Sequence, residues 1–142
     1  MKEVPEERIT GFIKKHHVLT LATSVDGQAW CSNCFYAYFE DENALIITSD
    51  RETRHVKEFL QNSKVAASIV LETRIIGKIQ GIQITGQITE PKGEMLIKCR
   101  KRYLHRFPYA ALMDTTLWML NIDFIKMTDN NLGFGKKLIW KK

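Results

Sequence analysis

Between Ile79 and Thr89 the chain alternates with period two. Ile82, Ile84 and Ile88 fall on one side, and Gln83, Thr85, Gln87 and Thr89 on the other. Successive side chains of a strand point to opposite faces, so this run is a half-buried strand. A strand of this kind belongs to a sheet with one face on a core and one face wet, which is an antiparallel arrangement rather than a buried parallel one. Ile79 breaks the parity, and Gly81 at the break predicts a β-bulge there.

The neighbouring segments extend the pattern. Ile9, Phe12 and Ile13 predict a short leading helix over residues 6–15. His17 to Thr23 and Ala29 to Phe39 read as strands joined by a hairpin turn at Asp26-Gly27. A third strand at 44–48 leads to a helix over about 52–61, with Val56, Phe59 and Leu60 on its apolar face and Ser49 with Glu52 as a capping box. Val65 to Leu71 is a fourth strand. A helix over about 93–107 is stopped by Pro108. Leu117 to Thr128, with Trp118, Leu120, Ile122 and Phe124 on one face, and a short strand around Lys137 to Trp140 complete the chain. Six or seven strands without βαβ alternation argue against a Rossmann-type sheet and favour a mainly β, antiparallel barrel with accessory helices. No repeat, low-complexity tract or linker divides it, so the 142 residues form one domain, 1–142.

Charge and cysteine content narrow the setting. A net charge of +5, from 21 basic and 16 acidic residues, favours an anionic partner only weakly. No stretch has the ~20 apolar residues of a membrane span. The Met1-Lys2-Glu3-Val4-Pro5-Glu6-Glu7-Arg8 start lacks the apolar core of a secretory signal. Three cysteines, an odd number with no framework, suit a reducing cytoplasm.

Chemistry concentrates where the third strand turns into its helix. A helix N-terminus offers unpaired N–H groups and a positive dipole end, which suits a phosphate. Arg51, Arg54, His55 and Lys57 add charge-assisted donors. Two readings stand for this segment, an anion site and a solvated basic first turn. Elsewhere the signals are bland. Cys31 and Cys34, three apart in a strand, face opposite sides and form neither a redox pair nor half a zinc site; all three cysteines read as buried, inert thiols. His16-His17 has no partner at metal-ligand spacing. The Gly133-Phe134-Gly135-Lys136-Lys137 loop lacks the Ser/Thr and spacing of a P-loop. Lys98, Lys101, Arg102, His105 and Arg106 make a basic side on the helix at 93–107, but no aromatic residues interleave it, so nucleic acid is an unlikely partner. No catalytic dyad or carboxylate pair emerges.

Several segments in this order carry a resemblance: Trp30-Cys31-Ser32-Asn33-Cys34-Phe35-Tyr36, Thr53-Arg54-His55, Gly81-Ile82-Gln83-Ile84-Thr85-Gly86, Arg106-Phe107-Pro108, and the tail from Ile125 through Gly133-Phe134-Gly135-Lys136-Lys137 to Trp140. Together they resemble the FMN-binding split barrel of the pyridoxamine 5′-phosphate oxidase-like superfamily, and within it the small bacterial YhbP-like group. The resemblance implies a homodimer with two flavin sites at the interface, each lined by both chains. It implies that Thr48, Ser49, Thr53, Arg54 and His55 hold the FMN phosphate; where many relatives have an Arg-Lys pair, this chain has Arg54-His55. Gln83 is then either a ring contact, since its amide both donates and accepts, or a solvent-facing residue of a half-exposed sheet. Trp30, Asn33 and Tyr36 are flavin contacts or packing residues, and Lys136 or Lys137 would reach the partner's cofactor. The expected function is an FMN-dependent oxidoreductase of unknown substrate, the cofactor supplying the electron chemistry. The rivals are the same barrel holding haem or a deazaflavin, and a non-enzymatic interaction or nucleic-acid module using the basic helix.

Overall fold

The computed structural model describes residues 4–142; Met1, Lys2 and Glu3 of the N-terminal segment lie outside them. Seven strands and three α-helices follow in the order α1 (Glu7–Lys15), β1 (Val18–Val25), β2 (Gln28–Phe39), β3 (Ala44–Ser49), α2 (Arg54–Gln61), β4 (Lys64–Val70), β5 (Gln80–Thr89), α3 (Gly93–Arg106), β6 (Thr116–Asp129) and β7 (Lys137–Lys141). All pairings are antiparallel in the order β3-β2-β1-β4-β5-β6-β7, and β3 also pairs with β6. That last pairing closes six strands into a barrel and leaves β7 as an added edge. Closure removes free strand edges from the other six.

The alternation within each strand sorts residues into the barrel or onto its outside. Leu19, Leu21, Tyr36, Leu45, Ile47, Ile69, Ile82, Ile84, Trp118 and Leu120 fill the interior. The helix α1 stoppers one end with Ile9, Phe12 and Ile13, and the Tyr36 hydroxyl donates to the Ile13 carbonyl at 2.6 Å. At the other end α2 inserts Val56 and Phe59, with Phe59 edge-on to Trp118 at 4.9 Å. Outside the wall, α3 lays Cys99 and Tyr103 on Ala37, Phe39, Ala44, Ile46, Leu117 and Met119. Among the described residues no helix is long and apolar enough to cross a membrane.

Asp26 and Gly27 make the β1–β2 turn with φ of 52° and 78°, the left-handed pair that such a hairpin requires. Three expectations need correction. The irregularity in β5–β6 lies not at Gly81, which pairs regularly with Val70 and Thr128, but between Thr85 and Gly86, where Asp123 is the extra residue on β6. Beyond it the parity of β6 switches, so Ile125 and Met127 enter the barrel and Phe124 does not. Second, Leu60 is 57% exposed, because α2 touches the barrel with a narrower face than Val56, Phe59 and Leu60 together. Third, Ser49 and Glu52 form no capping box. Asp50 folds a turn first, its carboxylate accepting from the Glu52 amide at 2.8 Å and its carbonyl from the Thr53 amide at 3.1 Å. Thr53 is therefore the N-cap, its hydroxyl accepting from the Val56 amide at 3.4 Å.

Candidate functional site

The last two residues of β3 diverge as strand geometry demands. Ser49 continues the barrel-facing series of Leu45 and Ile47, and Thr48 continues the outward series of Ala44 and Ile46. The Thr48 hydroxyl accordingly meets the Tyr103 hydroxyl of α3 at 3.1 Å, on the opposite side of the strand from the α2 corner. Ser49 Oγ lies 2.5 Å from His55 Nε2, and Thr53 Oγ1 lies 3.5 Å from the same nitrogen. The Trp118 indole donates to the Ser49 carbonyl at 3.0 Å and fixes the strand end. Thus Ser49, Thr53 and His55 come together at the start of α2, the Arg54 side chain turns to Glu58 and Trp30, and Thr48 stands apart.

Two residues orient Arg54, Glu58 and Trp30. Its Nε donates to Glu58 Oε2 at 2.9 Å, one helical turn on, and its guanidinium lies 4.0 Å over the Trp30 ring. The other Glu58 oxygen accepts from Thr23 Oγ1 at 2.7 Å. The hydrogen bonds from Arg54 and Thr23 hold the Glu58 carboxyl below its ordinary range. Burial lowers the His55 pKa, favouring the neutral ring. The amides of Arg54 and His55, the first two of α2, have no intrahelical acceptor by the geometry of a helix start. This corner therefore offers N–H and O–H donors, a guanidinium edge and a positive dipole end to an anion. Arg51 pairs with Glu90 and lies 5.1 Å over the Trp118 ring, and Lys57 pairs with Glu52 at 3.4 Å, so both are turned to neighbouring acids.

Asn33 and Gln83 lie on the outer face of the sheet. Asn33, Thr20, Ser68, Gln83 and Lys126 are successive partners across β2, β1, β4, β5 and β6, and so form one row. Thr20 Oγ1 donates to Asn33 Oδ1 at 3.0 Å. Three interstrand steps separate Asn33 from Gln83, roughly 14 Å. Next to this row an open groove of about 650 Å³ runs past Ala22, Ser24, Lys64, Ala66, Thr85 and Gln87. On its other side stand the exposed Val18, Phe35 and Val70. Tyr36 is buried inside the barrel and serves packing. Lys136 follows Gly135 in the turn before β7, at the end of the barrel opposite Ser49. A single chain does not bring Asn33, Gln83 or Lys136 to the α2 corner.

Cys31 is exposed and Cys34 buried, on opposite faces as the spacing requires; the expectation of burial fails for Cys31, which sits on the outer face, and Cys99 is buried under α3. Burial raises the Cys34 thiol's pKa. Among the described residues no three His, Cys, Asp or Glu side chains gather as metal ligands would. The sequence reading missed Glu58 and Thr23. The spacing of Arg54 and Glu58, four apart on a helix, is a signal that was present; Thr23 becomes visible only with the β1–α2 contact.

The family model described as pyridoxamine 5′-phosphate oxidase matches residues 5–121. A UPF0306 protein of Photorhabdus laumondii is 41% identical over 131 residues, 92% of each chain. Among solved structures, a heme binding protein from Mycobacterium smegmatis superposes with a TM-score of 0.75 at 19% identity, over 88% of this chain and 52% of that one. A NimC/NimA family protein from Clostridium acetobutylicum gives 0.72 at 21% identity, over 96% and 91% of the two chains.

Proposed function

Since the chain belongs to the pyridoxamine 5′-phosphate oxidase-like split-barrel family, we propose that it is an FMN-binding flavoprotein, an oxidoreductase of unassigned substrate, acting as a homodimer. One observation carries the reading: Arg54 is held on Trp30 with only its Nε taken by Glu58, at the open start of α2. The Nη groups of Arg54, the Ser49 hydroxyl and the first amides of α2 fit the acceptor oxygens of a phosphate monoester, while the Thr53 hydroxyl, which donates to the Asp50 carbonyl at 2.8 Å, serves as the helix cap. Thr48, turned to Tyr103, would act behind the strand rather than on the phosphate.

Gln83 and Asn33 supply amides suited to the N–H and carbonyl edge of an isoalloxazine. Their distance from the α2 corner supports a site completed by a second copy, with Lys136 of that copy as a further cation. The exposed Val18, Phe35 and Val70 beside the row support the same packing, because apolar side chains on a sheet face are what a partner covers. Bound FMN would supply the one- and two-electron chemistry. The chain's part is to bind the phosphate, orient the ring and keep His55 neutral beside Ser49.

The haem reading draws on the fold neighbour named for heme binding, and it requires an axial ligand. His55 Nε2 is already engaged by Ser49, and His16, His17 and His105 belong to α3 or the segment between α1 and β1, so flavin fits these residues better. A deazaflavin with a phosphate tail would share the corner, and mass measurement of the cofactor released by denaturation distinguishes the two. Titration with FMN tests the reading: Arg54→Ala should lose about 1.5–3 kcal/mol, the scale of a hydrogen bond to a charged group. Unchanged affinity would remove Arg54 from the site.

A further inference from the structure

We infer that Glu58 is a positioning residue that aims Arg54, and thereby sets the preference of this site for a phosphorylated flavin over the unphosphorylated one. The inference rests on the flavin-phosphate reading above and adds a residue that touches no ligand.

A free arginine on a helix surface samples many rotamers and presents any of its donor edges. Here both Glu58 oxygens are committed, Oε2 to Arg54 Nε at 2.9 Å and Oε1 to Thr23 Oγ1 at 2.7 Å. The Glu58 side chain is 11% exposed and Thr23 is 2% exposed, so the carboxylate is fixed where water competes little. Thr23 and Trp30 are cross-strand partners in β1–β2, which ties the carboxylate's anchor to the ring beneath the guanidinium. Trp30 covers one face at 4.0 Å, and Glu58 takes the Nε. What remains is the Nη pair, a planar fork matched to two oxygens of one phosphate. Ordering that fork before the ligand arrives lowers the entropy lost on binding.

A purely structural role for Glu58, docking α2 onto β1 through Thr23, makes a different prediction. It would weaken riboflavin and FMN alike, whereas aiming Arg54 affects only the ligand with a phosphate. The readout is therefore the ratio of riboflavin to FMN dissociation constants, measured by flavin fluorescence on the full chain. Glu58→Ala is expected to reduce this ratio about 10-fold, and to leave it unaltered in an Arg54→Ala background. A folded Glu58→Ala protein with the wild-type ratio, or an equal drop in the Arg54→Ala background, overturns the inference. Should Glu58→Ala fail to fold, Thr23→Val, which removes only the anchoring hydroxyl, is expected to reduce the ratio about 3-fold; no reduction overturns it equally. A wild-type ratio in Arg54→Ala alone refutes the phosphate reading itself, so the two failures are distinguishable.

Discussion

Gly86 of β5 lies so close to Asn121 of β6 that a Cβ on the glycine would come within 2.2 Å of the Asn121 carbonyl oxygen and 2.8 Å of Leu120 Cδ2. The contact sits where β6 carries its extra residue, Asp123, so the bulge and the close approach are one feature. Only glycine lets the two backbones meet there. Gly86→Ala is expected to cost about 2–4 kcal/mol, the upper range for overpacking against immovable backbone. Urea unfolding checks this, and a loss below about 1 kcal/mol would show that the strands separate easily.

Asp129, fully buried at the end of β6, accepts from Arg8 at 3.0 Å, Gln80 at 3.1 Å and the Asn131 amide at 2.9 Å. It ties α1, β5 and the final turn to the barrel's stoppered end. Burial alone would raise its pKa, but the three donors outweigh it and the carboxyl stays below its ordinary value. Its stabilising contribution is thus present above the unfolded carboxylate range and lost as pH falls through the lowered folded value. Asp129→Ala is expected to cost roughly 1.5–3 kcal/mol at neutral pH, the scale of hydrogen bonds to a charged group, read as a shift in denaturant midpoint, and to flatten the acid limb of the stability curve. An unchanged midpoint would refute this role.

The sequence revealed most of the scaffold because the scaffold is periodic. The Ile82, Ile84, Ile88 alternation and the Asp26-Gly27 turn state their geometry locally, and both appear as expected. The bulge escaped because its cause is a contact between strands, Gly86 on Asn121, which no local pattern records. The helix start was misplaced by about two residues because Asp50 competes for the same amides as Ser49 would. Within the candidate site, Ser49, Thr53, Arg54 and His55 were legible as one segment. Their division from Thr48 follows from strand parity, which turns neighbouring side chains to opposite faces. The row joining Asn33 to Gln83 depends on register across four strands, which lies beyond a one-dimensional reading.

His55 has its pKa lowered by burial, and His16 is lowered likewise, by burial and then by Lys15, His17 and Arg106. A histidine with a folded pKa below its unfolded value binds fewer protons when native, so it favours folding above the unfolded value and loses that contribution as pH falls. Thermal stability should therefore decline from about pH 6.5 downwards, before the carboxylates titrate. His55→Gln should make that decline shallower and leave the part due to His16. A curve with the same slope in the variant would show that His55 is not desolvated.

Phe35 is 60% exposed, with its outer edge on the sheet and its ring 5.6 Å from Phe107. If this face meets a second copy, Phe35→Asp places a charge in that seam and should convert the protein to a monomer by light scattering, with its circular dichroism retained. FMN affinity should fall with it, since half of the proposed site is then missing. A dimer that persists at the wild-type concentration range would relocate the interface.

The central claim is that a phosphate tail sits at the start of α2. Backbone amide resonances measured during FMN titration test it residue by residue. The account predicts the largest shifts at Arg54 and His55, with inorganic phosphate reproducing those two and leaving Gln83 unmoved. Shifts confined to α3 or the β7 end, with Arg54 and His55 unaffected at saturation, would contradict it.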